Sequence, residues 1–206
     1  MVVRRALNRD VAAATETIAL AFADDPVWSV ALARPDGRTD HVRPYWRRFV
    51  ESAQEQGGLW VMDAAAVSVW IPPDGEELAE PGIATLERFN LESLGVERAR
   101  EIHDLYQRFE ASHPRAEAHA YLSLLATHPD QRGRGHGQAL LRENLVRWDG
   151  DGVPAYLEST NPANDHRYER AGFRRVGGFR AVIDDAPITT MWRVAGGSPA
   201  PAIRQG

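Results

Sequence analysis

Three glycines at alternate positions, Gly133, Gly135 and Gly137, stand between two arginines and the start of a helical pattern. Without Cβ atoms, the backbone at these positions can turn tightly and approach a ligand closely. A turn of this kind exposes amide N–H groups at a helix start, where the aligned peptide dipoles add roughly half a positive charge. The segment is therefore a candidate site for a phosphate or pyrophosphate group, although a flexible surface turn can have the same composition.

The residue types that the chain lacks exclude several other chemistries. All 24 of the Lys and Arg residues are arginine, so neither a Schiff-base lysine nor a P-loop is available. The absence of cysteine excludes disulfides, thiolate nucleophiles and cysteine-ligated metals. A dinucleotide-binding turn is disfavoured because the third glycine comes one position early and the preceding strand is late in the chain. The histidines show no metal-ligand spacing, and we predict no metal.

Two regular elements must position the glycine turn. His119–Thr127, which precedes it, is a nearly continuous apolar run and predicts a strand covered on both faces. After the turn, apolar residues from Ala139 to Trp148 follow a helical period up to Asp149–Gly150. The pattern then predicts a strand at Pro154–Ser159, a short helix at Asn161–Ala171, and strands at Phe173–Ala181 and Ile188–Val194. This alternation indicates a mixed α/β sheet.

The first half of the chain predicts a strand, two helices, a hairpin and a long helical segment. The strand is Val2–Ala6, the helices run from an N-cap at Asp10 to Asp24 and through Tyr45–Val50, and the hairpin joins Leu59–Met62 to Ala66–Ile71. Glu76–His113 is predicted to be a helical insertion before the central strand, interrupted at Pro81–Gly82 and Gly95. We expect residues 1–194 to form one domain and residues 195–206 a flexible tail.

Length and charge restrict the partners. A chain of 206 residues suits one domain with a substantial core. Its net charge of −5 and the lack of a basic stripe argue against a nucleic-acid partner. No apolar run is long enough to cross a bilayer, and Met1–Asp10 is not followed by a signal-peptide core. We therefore expect no membrane contact and a cytoplasmic location.

The run Arg132-Gly133-Arg134-Gly135-His136-Gly137 fits the pattern Arg or Gln, two residues, Gly, one residue, Gly or Ala. In this it resembles the acyl-CoA-binding signature of the GNAT superfamily of N-acetyltransferases. Tyr168–Phe173 is similar to the Tyr-Glu-x-x-Gly-Phe element of the same family. More narrowly, Ala21–Pro26, Val67–Trp70 and Val153–Glu158 look like puromycin N-acetyltransferase and its actinobacterial relatives.

This resemblance implies an α/β (α+β) GNAT fold, with a mixed, mostly antiparallel central sheet of six to seven strands flanked by helices. It also implies acetyl-CoA as co-substrate and a central strand that splays from its neighbour, freeing main-chain groups for the pantetheine arm. The residues implied to bind acetyl-CoA are Leu125, Ala126, Thr127, Arg132, Gly133, Arg134, Gly135, His136, Gly137, Gln138, Asn161 and Asn164. Asn161 and Asn164 equally suit helix N-caps.

Two catalytic residues follow from the same resemblance. Tyr168 occupies the general-acid position of the family, where a phenol can protonate a departing thiolate; packing against Phe173 is the alternative. Glu158 is the candidate base, acting directly or through a water molecule, or else a structural carboxylate. His119 and Glu117 are poorer candidates because they precede the central strand at its end far from the glycine turn.

Three functions remain open. The first is an acetyl-CoA-dependent N-acetyltransferase that acts on a primary amine of a small molecule, by direct attack in a ternary complex. The second is a non-catalytic acyl-CoA-binding sensor, and the third is a protein or peptide N-acetyltransferase. The puromycin-like resemblance favours a small acceptor and an antibiotic-resistance-like role, with specificity residues near Trp28, Tyr45, Trp46 and the helical insertion. Because dimers are common in this family, the resemblance is also compatible with a homodimer.

Overall fold

Seven strands form one sheet in a computed structural model, which describes residues 1–197. The strands are β1 (Val3–Arg5), β2 (Leu59–Met62), β3 (Ala66–Ile71), β4 (Ala120–Thr127), β5 (Ala155–Ser159), β6 (Arg174–Arg180) and β7 (Pro187–Arg193). Their order is β1-β2-β3-β4-β5-β7-β6, and every neighbouring pair is antiparallel except β4 and β5. The predicted mixed, mostly antiparallel sheet is confirmed.

Helices cover the sheet. They are α1 (Val11–Phe22), α2 (Trp28–Ala31), α3 (Val42–Glu55), α4 (Glu80–Leu94), α5 (Val96–Ser112), α6 (His136–Gly150) and α7 (Asp165–Arg170). The one-turn helix α2 was not predicted, because four residues are too few to show a helical period. It begins where the Asp25 carboxylate accepts hydrogen bonds from the N–H groups of Val27 and Trp28. Within residues 1–197, no helix combines the length and apolarity needed to cross a membrane.

The predicted helical insertion consists of α4 and α5, which lie between β3 and β4. Gly95 separates the two helices with φ 84°, a left-handed conformation that favours glycine. Pro81 was expected to interrupt the helix, and instead stands in the first turn of α4. A proline there costs little because the first N–H groups of a helix have no intrahelical acceptor.

Two apolar cores lie on opposite faces of the sheet. One contains Ile18 of α1 and Phe49 of α3, together with residues of α5 such as Leu105. The other is built around α6, with Leu141 packed between the sheet and the helix. Asn144 of α6 is buried, and its side-chain oxygen accepts hydrogen bonds from the Ser68 hydroxyl at 2.8 Å and the Trp70 indole at 3.1 Å. These bonds fix α6, and with it the glycine turn, against β3.

A β-bulge at Ser123 changes the course of β4. Val69 of β3 pairs with Leu124 and Trp70 pairs with Leu122, so Ser123 is the extra residue. A bulge bends its strand and increases the local twist. β4 and β5 pair only at Ala120–Ala155 and Tyr121–Tyr156. Beyond these two pairs the strands diverge, as the splay expected for the central strand requires.

The last described residues pack against the end of α6. Arg193 of β7 is 5% exposed and donates two hydrogen bonds to the Asp149 carboxylate, at 2.6 and 2.7 Å. The N–H of Gly196 donates to the same carboxylate at 2.7 Å. Hydrogen bonding by Arg193 lowers the pKa of Asp149. The rest of the predicted tail, residues 198–206, lies outside the described residues.

Candidate active site

A cavity of about 800 Å³ opens where β4 and β5 diverge. Most of the predicted site residues line it, namely Leu125, Thr127, Arg132, Gly133, Gly135, His136, Gly137, Gln138, Glu158, Asn161, Asn164 and Tyr168. Two predicted residues do not. The Ala126 side chain is buried in the core on the α1 side of the sheet, and the Arg134 side chain is exposed outside the cavity. The structure therefore brings together residues from four separate segments of the chain.

The glycine turn leaves a row of amide groups without partners. Gly133 and Gly135 have φ of 78° and 77°, so both positions are in the left-handed region. Gly137 has a different requirement, because a Cβ there would lie 2.6 Å from the Thr127 hydroxyl of β4. Among residues 1–197, no backbone carbonyl accepts a hydrogen bond from the N–H groups of residues 133–138. Free donors at the start of the 15-residue helix α6 are an arrangement that favours a bound anion.

Arginines surround this end of the cavity. Arg132 follows β4, Arg142 lies on the first turns of α6, and Arg167 and Arg170 lie on α7. Arg132 also lies 3.9 Å from the Asp24 carboxylate at the end of α1. The positive side chains and the free amides together favour a ligand with several negative charges. Within the described residues, no group of three or more His, Asp or Glu side chains is arranged to hold a metal ion.

Glu158 of β5 is a buried carboxyl group with an unusual proton affinity. Its side chain is 1% exposed, and neither oxygen has a hydrogen-bond partner of ordinary geometry among the described residues. Burial raises the pKa of Glu158 to about 8, and the nearby hydroxyls of Tyr156 and Tyr121 lower it by less. The buried carboxyl of Glu77 adds to the rise. Glu158 can therefore take up and release a proton near neutral pH.

His113 lies close to Glu158, and sequence reasoning missed it. Its Nδ1 lies 3.9 Å from Glu158 Oε1. Burial, together with His119, lowers the pKa of His113 to about 4, so the imidazole is neutral at neutral pH and forms no ion pair with Glu158. His119 contacts His113 at 3.0 Å and the Glu117 carbonyl at 2.7 Å, and neither His119 nor Glu117 lines the cavity.

Tyr168 lies on α7 with its side chain at the cavity wall. Burial raises the pKa of Tyr168 to about 12, and the carboxylates of Asp25 and Asp165 contribute. The phenol therefore carries its proton at neutral pH and can donate it. Its ring also packs edge-on against Phe173, with the centroids 6.2 Å apart. The two alternatives considered from the sequence are therefore compatible: the Tyr168 ring packs against Phe173, and the residue also lines the cavity.

The two candidate asparagines differ in their local bonding. The Asn161 side chain accepts a hydrogen bond from the Ala163 N–H at 3.1 Å and caps the 3₁₀ turn Pro162–Asn164. Asn164 precedes α7 and makes no side-chain capping bond. Both side chains still line the cavity. The N-cap alternative is therefore observed for Asn161.

The other end of the cavity is aromatic. Trp28 and Trp46, which were expected near the acceptor, line it together with Tyr106 and Phe109 of the helical insertion. Tyr45 lies behind them, and its hydroxyl is 2.6 Å from that of Tyr106. The insertion was also expected near the acceptor, but the sequence carried no local signal for Tyr106 and Phe109 themselves, because α5 reaches the other segments only through the tertiary fold.

Part of the chain is similar to a known family. Residues 98–175 match the sequence model of a family described as an acetyltransferase (GNAT) domain. A mycothiol acetyltransferase from Propionibacterium freudenreichii subsp. shermanii is 32% identical over 124 residues, or 58% of this chain. The alignment covers 34% of that protein, so the chain spans about a third of the curated relative that it matches.

Solved structures share the fold. One, a histone acetyltransferase HPA2 and related acetyltransferase from Corynebacterium glutamicum, has a TM-score of 0.60 at 23% identity and covers 96% of each chain. Arylalkylamine N-acetyltransferase 2 from Aedes aegypti has a TM-score of 0.68 at 13% identity, covering 94% of this chain and 98% of its own. GNAT acetyltransferases use acetyl-CoA and act on amine acceptors. Residues 98–175 are thus similar to a GNAT acetyltransferase domain, and the described part of the chain shares the fold of solved acetyltransferases.

Proposed function

We propose that the chain transfers an acetyl group from acetyl-CoA to a primary amine of a small molecule, by direct attack while both substrates are bound. One observation carries the proposal. The glycine turn with its free amides, the buried Glu158 and the phenol-bearing Tyr168 all line one cavity at the divergence of β4 and β5. An anion site beside a base and an acid is what acyl transfer from a charged thioester requires.

The residues around the glycine turn fit acetyl-CoA. The amides of residues 133–138 would hold the pyrophosphate, and Arg132 and Arg142 would add positive charge. Main-chain groups of residues 122–127 lose their β5 partner at the splay and would pair with the pantetheine arm. When bound there, acetyl-CoA supplies the activated acetyl thioester. The side chain of Asn164 would contact the same molecule from the start of α7.

Glu158 is the proposed general base. A protonated amine must lose a proton before its nitrogen can attack, and a carboxylate whose conjugate acid has a pKa of about 8 is a stronger base than one at the ordinary value of 4.5. The proton passes from the amine nitrogen to a Glu158 oxygen, directly or through one water molecule. Because His113 is neutral, it forms no ion pair with Glu158, and the Glu158 carboxylate is free to bind the proton.

Tyr168 is the proposed general acid. As the new N–C bond forms and the C–S bond breaks, the departing sulfur requires a proton, because an ordinary thiol has a pKa near ~8.5. Tyr168 keeps its proton until that moment, since its pKa is about 12. The phenolate is then reprotonated from solvent. The proton that Glu158 gained is released to solvent, which restores both groups.

Two features support a small acceptor over a protein chain. Helix α5 of the insertion lines the cavity through Tyr106 and Phe109. The insertion therefore closes one side of the acceptor end. The likeness of Ala21–Pro26 and Val153–Glu158 to puromycin N-acetyltransferase points in the same direction. Puromycin therefore belongs in the set of amines to be tested, together with a short peptide that has a free N-terminus.

Thiol release from acetyl-CoA in the presence of an amine panel tests the proposal. We expect at least one small amine to give turnover, with Glu158→Gln and Tyr168→Phe each lowering kcat. Binding of acetyl-CoA without turnover for any amine would support the sensor instead. Acetylation of the peptide alone would support the protein acetyltransferase.

A further inference from the structure

The cavity beyond Glu158 has an aromatic wall, built by Phe22, Trp28, Trp46, Phe49, Tyr106 and Phe109. These residues come from α1, α2, α3 and α5. The rings pack against one another. Trp28 and Phe109 are nearly parallel, with an interplanar angle of 4° and centroids 6.2 Å apart, and Trp28 meets Trp46 edge-on at 5.3 Å. The wall is therefore a stiff surface rather than a set of mobile side chains.

Some members of the wall remain open to the cavity. Phe22, Tyr106 and Phe109 are half-buried, whereas Trp46 is 1% exposed. The Nε1 of Trp46 is buried and has no hydrogen-bond partner among the described residues. A buried indole N–H normally finds an acceptor.

The arginines of the cavity lie at one end, which Asp24 and Asp25 also line. Its arginines come from the glycine turn, α6 and α7, which form the proposed acetyl-CoA end. None of the arginines lining the cavity comes from an element of the aromatic wall. Two buried carboxyl groups, Glu158 and Glu77, lie at the acceptor end, and the Ser123 hydroxyl of the β4 bulge donates to Glu77. The side chains that line this end include these acidic groups and no basic one, so it suits an amine better than an anion.

We propose that the acceptor is an arylalkyl-type amine, with a primary amine a few carbons from an aromatic ring and no anionic group beside it. The ring would pack on Phe109 and Tyr106 while the amine reaches Glu158. Amino sugars fit poorly, because their hydroxyl groups would face apolar rings. Amino acids fit poorly because their carboxylate would face Glu77. This inference rests on the proposed acetyl transfer.

Matched amines test the proposal in the thiol-release assay. 2-Phenylethylamine is compared with propylamine, which lacks the ring, and with phenylalanine, which adds a carboxylate; glucosamine and spermidine are further competitors. We expect kcat/KM for 2-phenylethylamine to exceed the others by at least about tenfold, since a ring in a fitted apolar site adds contact area. Efficient use of glucosamine, spermidine or phenylalanine with weak use of 2-phenylethylamine would overturn the substrate class and leave acetyl transfer intact. Acetyl-CoA binding without turnover of any amine would overturn both.

A pair of variants locates the selectivity on the aromatic wall. In Phe109→Leu, we expect the ratio of kcat/KM for 2-phenylethylamine to that for propylamine to fall about tenfold. Phe179→Leu is the matched control, because Phe179 of β6 packs edge-on against Phe109 at 5.3 Å but does not line the cavity. It should keep the wild-type ratio. Equal ratios in both variants would mean that the wall does not contact the acceptor.

Discussion

We expect Glu158→Gln to make the protein more stable at alkaline pH while removing most of its activity. Glu158 is 1% exposed, and burial raises its pKa in the folded protein from 4.5 to about 8. The folded state therefore binds this proton more tightly than the unfolded state does. The contribution of Glu158 to the unfolding free energy is fully present below pH 4.5 and is lost as the pH rises to about 8. Glutamine imitates the protonated carboxyl group and cannot ionise.

The magnitude follows from the two pKa values. They are about 3.5 pH units apart, and each unit corresponds to about 1.36 kcal/mol. The wild type should thus lose up to about 5 kcal/mol of unfolding free energy between pH 4.5 and 8 through Glu158 alone, with no further loss above that. His113 titrates in the opposite sense, because its pKa is lowered to about 4. Its contribution is present in both proteins and cancels in their difference.

Urea unfolding of the wild type and Glu158→Gln between pH 5 and 9 measures this difference. We expect the unfolding free energy of the variant, relative to that of the wild type, to increase up to about pH 8 and then to stay constant. Glu143→Gln, which removes an exposed carboxylate from α6, is the control and should follow the wild type within about 0.5 kcal/mol. A gap between wild type and Glu158→Gln that stays constant from pH 5 to 9 would refute the reasoning. In the acetyl-transfer assay, kcat/KM of the wild type should rise towards pH 8, and the variant should be slower by about 10²–10⁴-fold.

Tyr168→Phe should lower kcat by about tenfold or more without changing the acetyl-CoA Kd in calorimetry, because only the proton donor is lost; an unchanged kcat would remove Tyr168 from the mechanism. Gly135→Ala places a Cβ at φ 77° and should weaken acetyl-CoA binding about tenfold, whereas Gly150→Ala, at an open position near the end of α6, should not. Equal affinities of those two variants would argue against the turn as the binding site. Asp149→Ala leaves buried Arg193 without its carboxylate and should cost about 3 kcal/mol in urea unfolding. A loss below 1 kcal/mol would contradict that pairing.

The local elements of this chain were readable from its residues. The hairpin Leu59–Met62 and Ala66–Ile71 agrees residue for residue with β2 and β3, and the central strand differs by one residue. These elements depend on alternation, helical period and turn residues, which are properties of neighbours in the chain. The insertion of β7 between β5 and β6 and the bulge at Ser123 were not predicted, because both depend on pairing between distant strands.

The candidate site likewise contains residues that were predictable from the sequence and residues that were not. Gly133, Gly135 and the residues around them could be identified because a single turn holds all of its donors within six positions. Glu77 and His113 could not, since they approach Glu158 only after the helical insertion has folded over the sheet. The sequence by itself thus determined the glycine turn proposed to bind an anion and the order of the elements around it. Only the tertiary structure decided how deeply Glu158 is buried and what surrounds it, and burial is the physical cause of the proton affinity on which the proposed chemistry depends.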